Sequence, residues 1–266
     1  MHGALFKSSR ANTWVGRIAG AVVFTPYEKW QWQHVHHHQV SGTEDSAEID
    51  HGATTYWTTQ QWRTYSKTKQ AILRVMRDPF VYFTLIPGAV FLLFYRIPRL
   101  RKSRKAGRRT GVAFTNVFKA VELPLGLAVL GWAWLRCELL AIAFGAGIGF
   151  MLFHLQHHVN AAYRAPQSTH DCLKAALQGS TYVPIPWCLR WVTLGIEYHH
   201  IHHLSTQVPC YQLQACHEEA PEGCWDDVVV VTPLKALRSI FRVMWNAETR
   251  QAHAAVASGH RQVRYC

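Results

Sequence analysis

Three apolar runs break an otherwise polar chain: Phe80–Tyr95 (FVYFTLIPGAVFLLFY), Leu123–Leu135 (LPLGLAVLGWAWL) and Leu139–Phe153 (LLAIAFGAGIGFMLF). A helix that crosses a bilayer needs about 20 mostly apolar residues. The second run reaches that length if it begins near Asn116 and admits Lys119 and Glu122; the third does so if it continues to His157. Only Arg136-Cys137-Glu138 lies between them, so the pattern predicts two crossing helices, near 117–135 and 139–156, turning at 136–138. Trp132 and Trp134 stand near that turn, and the third run is rich in Gly and Ala, both features of membrane helices. The first run carries Pro87-Gly88 at its centre and Pro79 at its start, and is expected to enter the membrane without fully crossing. Residues 28–75 and 160–266 are polar, rich in tryptophan, and expected to be largely helical.

Charge adds an orientation. The chain has 266 residues and a net charge of +12. Eight Lys/Arg fall between Arg96 and Arg109, directly after the first apolar run, which is the layout of a cytosolic juxtamembrane loop. No nucleic-acid motif accompanies the basic excess, so nucleic acid is not expected as a partner. The seven cysteines include no C-x-x-C pair, which argues against a zinc knuckle and suits reduced thiols. The first residues contain no apolar stretch of the signal-peptide kind.

The candidate chemistry lies in the histidines. There are 17, and 11 fall in three clusters: His34, His36, His37 and His38; His154, His157 and His158; His199, His200, His202 and His203. Each cluster contains the spacing H-x-x-H-H. Positions i, i+3 and i+4 of a helix share one face, so three imidazoles can point at one centre, and several such helices can surround a pair of metal ions. Imidazole nitrogen suits iron, copper, zinc and nickel alike. Zinc sites rarely use more than four protein ligands, so eight or more histidines point to two ions and redox work. His36 and His200 lie off the shared face and are expected outside the metal sphere. His51, His170, His217, His253 and His260 stand alone and read as ordinary structural histidines. If the clusters before and after the apolar runs share one site, an even number of crossings separates them. That agrees with two spans and a first run that does not cross.

The clusters and their order resemble those of the membrane fatty acid desaturases, in particular the methyl-end acyl-lipid branch. WQHVHHHQVSG resembles the family's second histidine box, HHIHHLSTQVPCYQL its third, and HLQHHVN the additional histidine site between them, with Gln156-His157 the best match. The first box of the family reads H-D-x-x-H; MHGALFKSS resembles the sequence from its last histidine onward, so His2 takes that place. The resemblance implies an all-α integral membrane protein, a helical hairpin with a cytosolic helical cap carrying the histidine boxes. It implies a single desaturase domain over 1–266, N-terminally incomplete and so inactive by itself. The implied metal ligands are His2, His34, His37, His38, His157, His199, His202 and His203. They would hold two iron ions and use O2 as co-substrate to form a cis double bond in a fatty acyl chain. The chain contains no His-Pro-Gly-Gly haem signature, so electrons are expected from a separate donor, cytochrome b5 or ferredoxin. Front-end desaturases tend to carry Gln at the first position of the third box. His199 stands there, which favours the Δ12 (omega-6) class. The same ligands would serve an acyl-chain hydroxylase or acetylenase, and a non-catalytic metal-binding homologue is the alternative from another class.

Overall fold

The computed structural model describes residues 2–43, 57–97, 106–157, 163–232, 234–235, 239, 242–246 and 251–254. The chain is predominantly helical. α1 (Ser9–Val22) starts at Ser8, whose hydroxyl accepts from the Ala11 N–H, and α2 (Tyr27–Val40) carries the first histidine cluster. The short α3 (Thr59–Thr64) and α4 (Lys67–Met76) lead into a π-helical turn, Val81–Leu85, and α5 (Ile86–Leu92). The long α6 (Ala106–His157) follows. Four short helices follow among the described residues: α7 (Cys172–Gln178), α8 (Arg190–Thr193), α9 (His199–Leu204) and α10 (Leu213–Glu218).

α6 is not one straight rod. Gly131 has φ +74° and ψ −172°, a region open almost only to glycine, and the chain reverses there. In an unbroken helix residues 119 and 138 would stand about 28 Å apart. Instead the Lys119 ammonium lies 2.8 Å from the Glu138 carboxylate. The two arms, 106–130 and 132–157, therefore run side by side. The expected turn at 136–138 is corrected to Gly131, and the charge that marked it in the sequence is a cross-arm partner instead. Lys119, which the apolar pattern had only tolerated, is buried between Glu138 and Glu122 (3.1 Å) and beside the Phe24 ring.

The segment from Lys67 to Arg96 is bent by 67° between its two helical pieces. Its π-helical turn packs on the second arm of α6, where a side chain on Gly147 would meet the Phe83 carbonyl at 2.5 Å. Lys29 of α2 donates to the carbonyls of Phe94 and Ile97 at 2.9 and 3.1 Å, tying the end of this segment to the helix that bears the first histidines.

The C-terminal half departs from the largely helical expectation. Strand β1 (Trp57–Thr58) pairs in parallel with β4 (Arg242–Asn246), which pairs antiparallel with β5 (Gln251–Ala254); β2 (Thr181–Tyr182) pairs in parallel with β3 (Val229–Val230). Prolines 166, 184, 186, 209 and 221 divide this half into pieces too short for long helices. Its core is Tyr198, Ile201 and Leu213, packed against the back of α9.

Candidate metal centre

The eight histidines gather into two adjacent groups of four. His2, His34, His38 and His202 form one, and His37, His157, His199 and His203 the other; within each, the ligand atoms lie within 4.8 Å of one another. The groups touch: the His38 and His203 ring centroids are 4.1 Å apart. Four parts of the chain supply them. His2 comes from the N-terminal stretch, which Asn12 of α1 holds: its amide donates to the Gly3 and Phe6 carbonyls and its oxygen accepts from the Phe6 N–H. His157 is the last residue of α6, and Gln156 beside it donates to the Ile196 carbonyl at 3.2 Å, joining α6 to the approach to α9.

The three rings of an H-x-x-H-H set do not share one centre, which corrects the simple reading of the spacing. On α2, His34 and His38 face the first group while His37 faces the second. On α9, His199 and His203 face the second group while His202 faces the first. Each helix thus gives an i, i+4 pair to one group and its i+3 residue to the other. The helix geometry permits this, since i+3 diverges from i+4 by about 100° around the helix axis.

Nitrogen atoms meet at the middle of each group. His34, His38 and His202 form a triangle of Nε2 atoms with sides of 3.1–3.2 Å. His157 Nε2 lies 3.0 Å from His37 Nε2 and 2.8 Å from His199 Nε2. A neutral imidazole has one donor and one acceptor nitrogen, so three mutually close Nε2 atoms cannot satisfy one another. The buried Nε2 atoms of His2 and His203 have no hydrogen-bond partner among the described residues. Nitrogens about 2.1 Å from a common ion, at right-angled to tetrahedral spacing, stand ~3.0–3.4 Å apart. The donor set therefore fits one ion in each group. Trp30 stacks on His34 with centroids 4.3 Å apart, and Phe153 lies 5.0 Å from both His37 and His157, closing the apolar side.

Burial disfavours the charged form of His2, His34, His38, His157, His199, His202 and His203, and the neutral form is the ligating one. Desolvation, reinforced by its own N-terminus and by His37, lowers the His2 pKa to about 4. Desolvation and neighbouring histidines lower His38 to about 2 and hold His34, His199 and His203 well below the usual value; His202 falls to about 3, its N-terminal charge neighbour contributing as well.

Other histidines sit elsewhere. His36 stacks on Trp32 and reaches Gln39, outside both groups. His154 is buried and bonds Ser239. His170 donates to the Ser41 carbonyl at 2.9 Å. His217, read from the sequence as an isolated structural histidine, instead pairs with His200, Nδ1 to Nε2, at 3.1 Å. His51, His158 and His260 lie outside the described residues. Asn12 was missed by the sequence reading; a lone asparagine carries no signal of a loop anchored at a distance.

Comparison with known proteins bears on the same residues. The chain is 29% identical over 253 residues to a fatty acid desaturase of Bacillus subtilis, covering 94% of this chain and 70% of that protein. It is 24% identical to the sn-1 oleoyl-lipid 12-desaturase of Synechocystis (84% of this chain, 62% of the relative) and 24% identical to the chloroplastic omega-6 fatty acid desaturase of Arabidopsis thaliana (84% and 49%). The chain thus spans between 49% and 70% of the length of these curated relatives. The fatty acid desaturase family matches residues 1–234, a stretch that contains all eight clustered histidines. By that match the chain belongs to the fatty acid desaturase family.

Proposed function

We propose that this chain is the histidine-box part of an O2-dependent di-iron acyl-lipid desaturase of the Δ12 (omega-6) class, in lipid metabolism. The observation that carries this reading is the pair of touching four-histidine groups in a chain of this family. Iron bound there would supply oxygen activation and removal of two hydrogens from an unactivated CH2–CH2 pair, chemistry beyond ordinary side chains. The chain's own residues hold and shape. The eight rings offer imidazole nitrogen only; among the described residues no carboxylate joins either group. Trp30 stacks on the His34 ring and Phe153 lies against the His37 and His157 rings, which limits how far these rings can turn.

The reaction balances as one acyl CH2–CH2, one O2, two electrons and two protons giving a cis CH=CH and two waters. The electrons come from a separate donor protein of the cytochrome b5 or ferredoxin kind. Two relatives whose names specify position 12 and omega-6 support the position of the double bond.

The same proposal sets the protein in a membrane. Arg109–His157 is long and apolar enough to cross. Val117, Val121, Val129, Trp132 and Phe144 of its two arms are each more than half exposed, a surface that suits lipid better than water. Reversal at Gly131 makes two crossings. His34 and His202 are in contact, so an even number of crossings separates α2 from α9, and Phe80–Tyr95 enters without crossing. The basic run 96–109, of which 98–105 lie outside the described residues, is the sequence feature that assigns this side to the cytosol.

The test is expression in a host that makes monounsaturated but not dienoic acids, of the chain alone and with a relative's first-box segment placed before it, followed by fatty acid analysis of the membrane lipids. New dienoic acid from the extended chain, abolished by His202→Ala, supports the reading, and its formation by the chain alone overturns only the expected inactivity; hydroxy or acetylenic acid in its place overturns the desaturase assignment.

A further inference from the structure

His200 is fully buried yet belongs to neither group of four. It sits on α9, between the rings that face the centre, and points to the opposite side. There its Nε2 meets His217 Nδ1 of α10 at 3.1 Å. The His217 ring stacks on Trp225 at 10° with centroids 5.5 Å apart, and the edge of His200 meets Trp225 at 4.9 Å. The Trp225 indole N–H donates to the His217 carbonyl at 2.9 Å, closing the loop after α10 onto the same residue. Tyr182 and Tyr198, stacked at 5.0 Å, flank His217 at 5.1 and 5.0 Å.

α9 has six residues, far short of the length at which a helix holds its own shape. Its rotation is therefore set by what its back touches. Apolar packing of Ile201 and Leu213 fixes its depth but resists rotation weakly, because dispersion contacts are not directional. The hydrogen bond between buried His200 and half-buried His217 is directional and has one good geometry. A rotation of α9 by about 20° at a ring-nitrogen radius of ~6 Å moves a nitrogen by about 2 Å, the full length of a metal–nitrogen bond. Because α9 gives His202 to one group and His199 and His203 to the other, such a rotation would disturb both.

We propose that His200 and His217, braced by Trp225, form a clamp that sets the rotation of α9 and so positions three ligand rings of both centres at once. His200 and His217 are positioning residues here. The proposal rests on the metal reading of the two groups.

Cobalt(II), whose visible spectrum reports ligand geometry, is the probe. The full chain in detergent is titrated with it, alongside His217→Phe and His217→Asn. Phenylalanine keeps an aromatic ring against Trp225 but offers no hydrogen bond; asparagine places its amide near the position of Nδ1. Losses in the shell behind metal ligands typically weaken binding 10- to 100-fold. The expected result is a drop of about that size and a changed cobalt spectrum for His217→Phe, with affinity and spectrum largely restored in His217→Asn. A His217→Phe protein with the parent's spectrum and affinity overturns the clamp, and so does His217→Asn failing as badly as His217→Phe. A parent protein that takes up no cobalt overturns the metal reading first, and the clamp with it.

Discussion

At the scale of single residues, the centre is assembled from side chains whose value lies in what they refuse to do. Buried imidazoles that stay neutral remain available as ligands as pH falls, while the same rings in an unfolded chain gain protons near pH 6.5. The unfolded state then binds more protons than the folded one. Metal-free protein is therefore expected to lose stability as pH drops from about 6.5 toward the depressed values, about 4 for His2 and about 3 for His202. Denaturant midpoints falling between pH 7 and pH 5 would show this; a flat profile would contradict it. Asn12 supplies a second expectation. Its side chain makes three hydrogen bonds to the stretch that carries His2. Asn12→Ala should weaken the first group about tenfold and leave the second intact, read as one weakened and one unchanged step in a metal titration. The residues that form the groups were legible because imidazole is scarce and its spacing repeats; His2 was legible only through the family's first box. The partition between the two groups was not, since it depends on how α2 and α9 face each other across about 165 residues of chain.

At the scale of elements, α6 shows how a local sign can mislead. Arg136-Cys137-Glu138 reads as a polar turn, but Glu138 belongs inside the second arm, where it answers Lys119. The reversal comes earlier, at a glycine in an apolar run that looks like helix interior. Its φ of +74° is visible only in three dimensions. Gly131→Ala should cost ~1–3 kcal/mol, the usual strain of such backbone. Lys119→Met should cost about 3 kcal/mol by leaving two carboxylates without their cation. Thermal unfolding in detergent measures both, and a neutral Gly131→Ala would place the reversal elsewhere. The short elements of the C-terminal half were hidden for a different reason. Two-residue strands carry no periodicity, and α9 takes its shape from Tyr198, Ile201 and Leu213 rather than from its own sequence.

At the scale of the whole molecule, the histidines and the two arms of α6 form one design: the chain turns back at Gly131 and ends the second arm with His157 beside His37. The predominantly helical character and the gathering of the histidine clusters followed from the alternation of apolar runs and histidine clusters, since both are set by composition over many residues. Sidedness is testable in sealed vesicles with cysteine-free protein carrying a single cysteine, at position 132 in one variant and at the native Cys224 in another. An impermeant maleimide should reach the two from opposite faces, and labelling of both from one face would contradict two crossings. The central claim is that two groups of four rings hold two ions, and metal content tests it most directly. Purified protein reconstituted with iron should hold two ions per chain. His34→Ala with His38→Ala, and separately His199→Ala with His203→Ala, should each lower that figure to about one or less. Fewer than one ion in the parent protein, or two ions persisting in both double variants, would contradict the account.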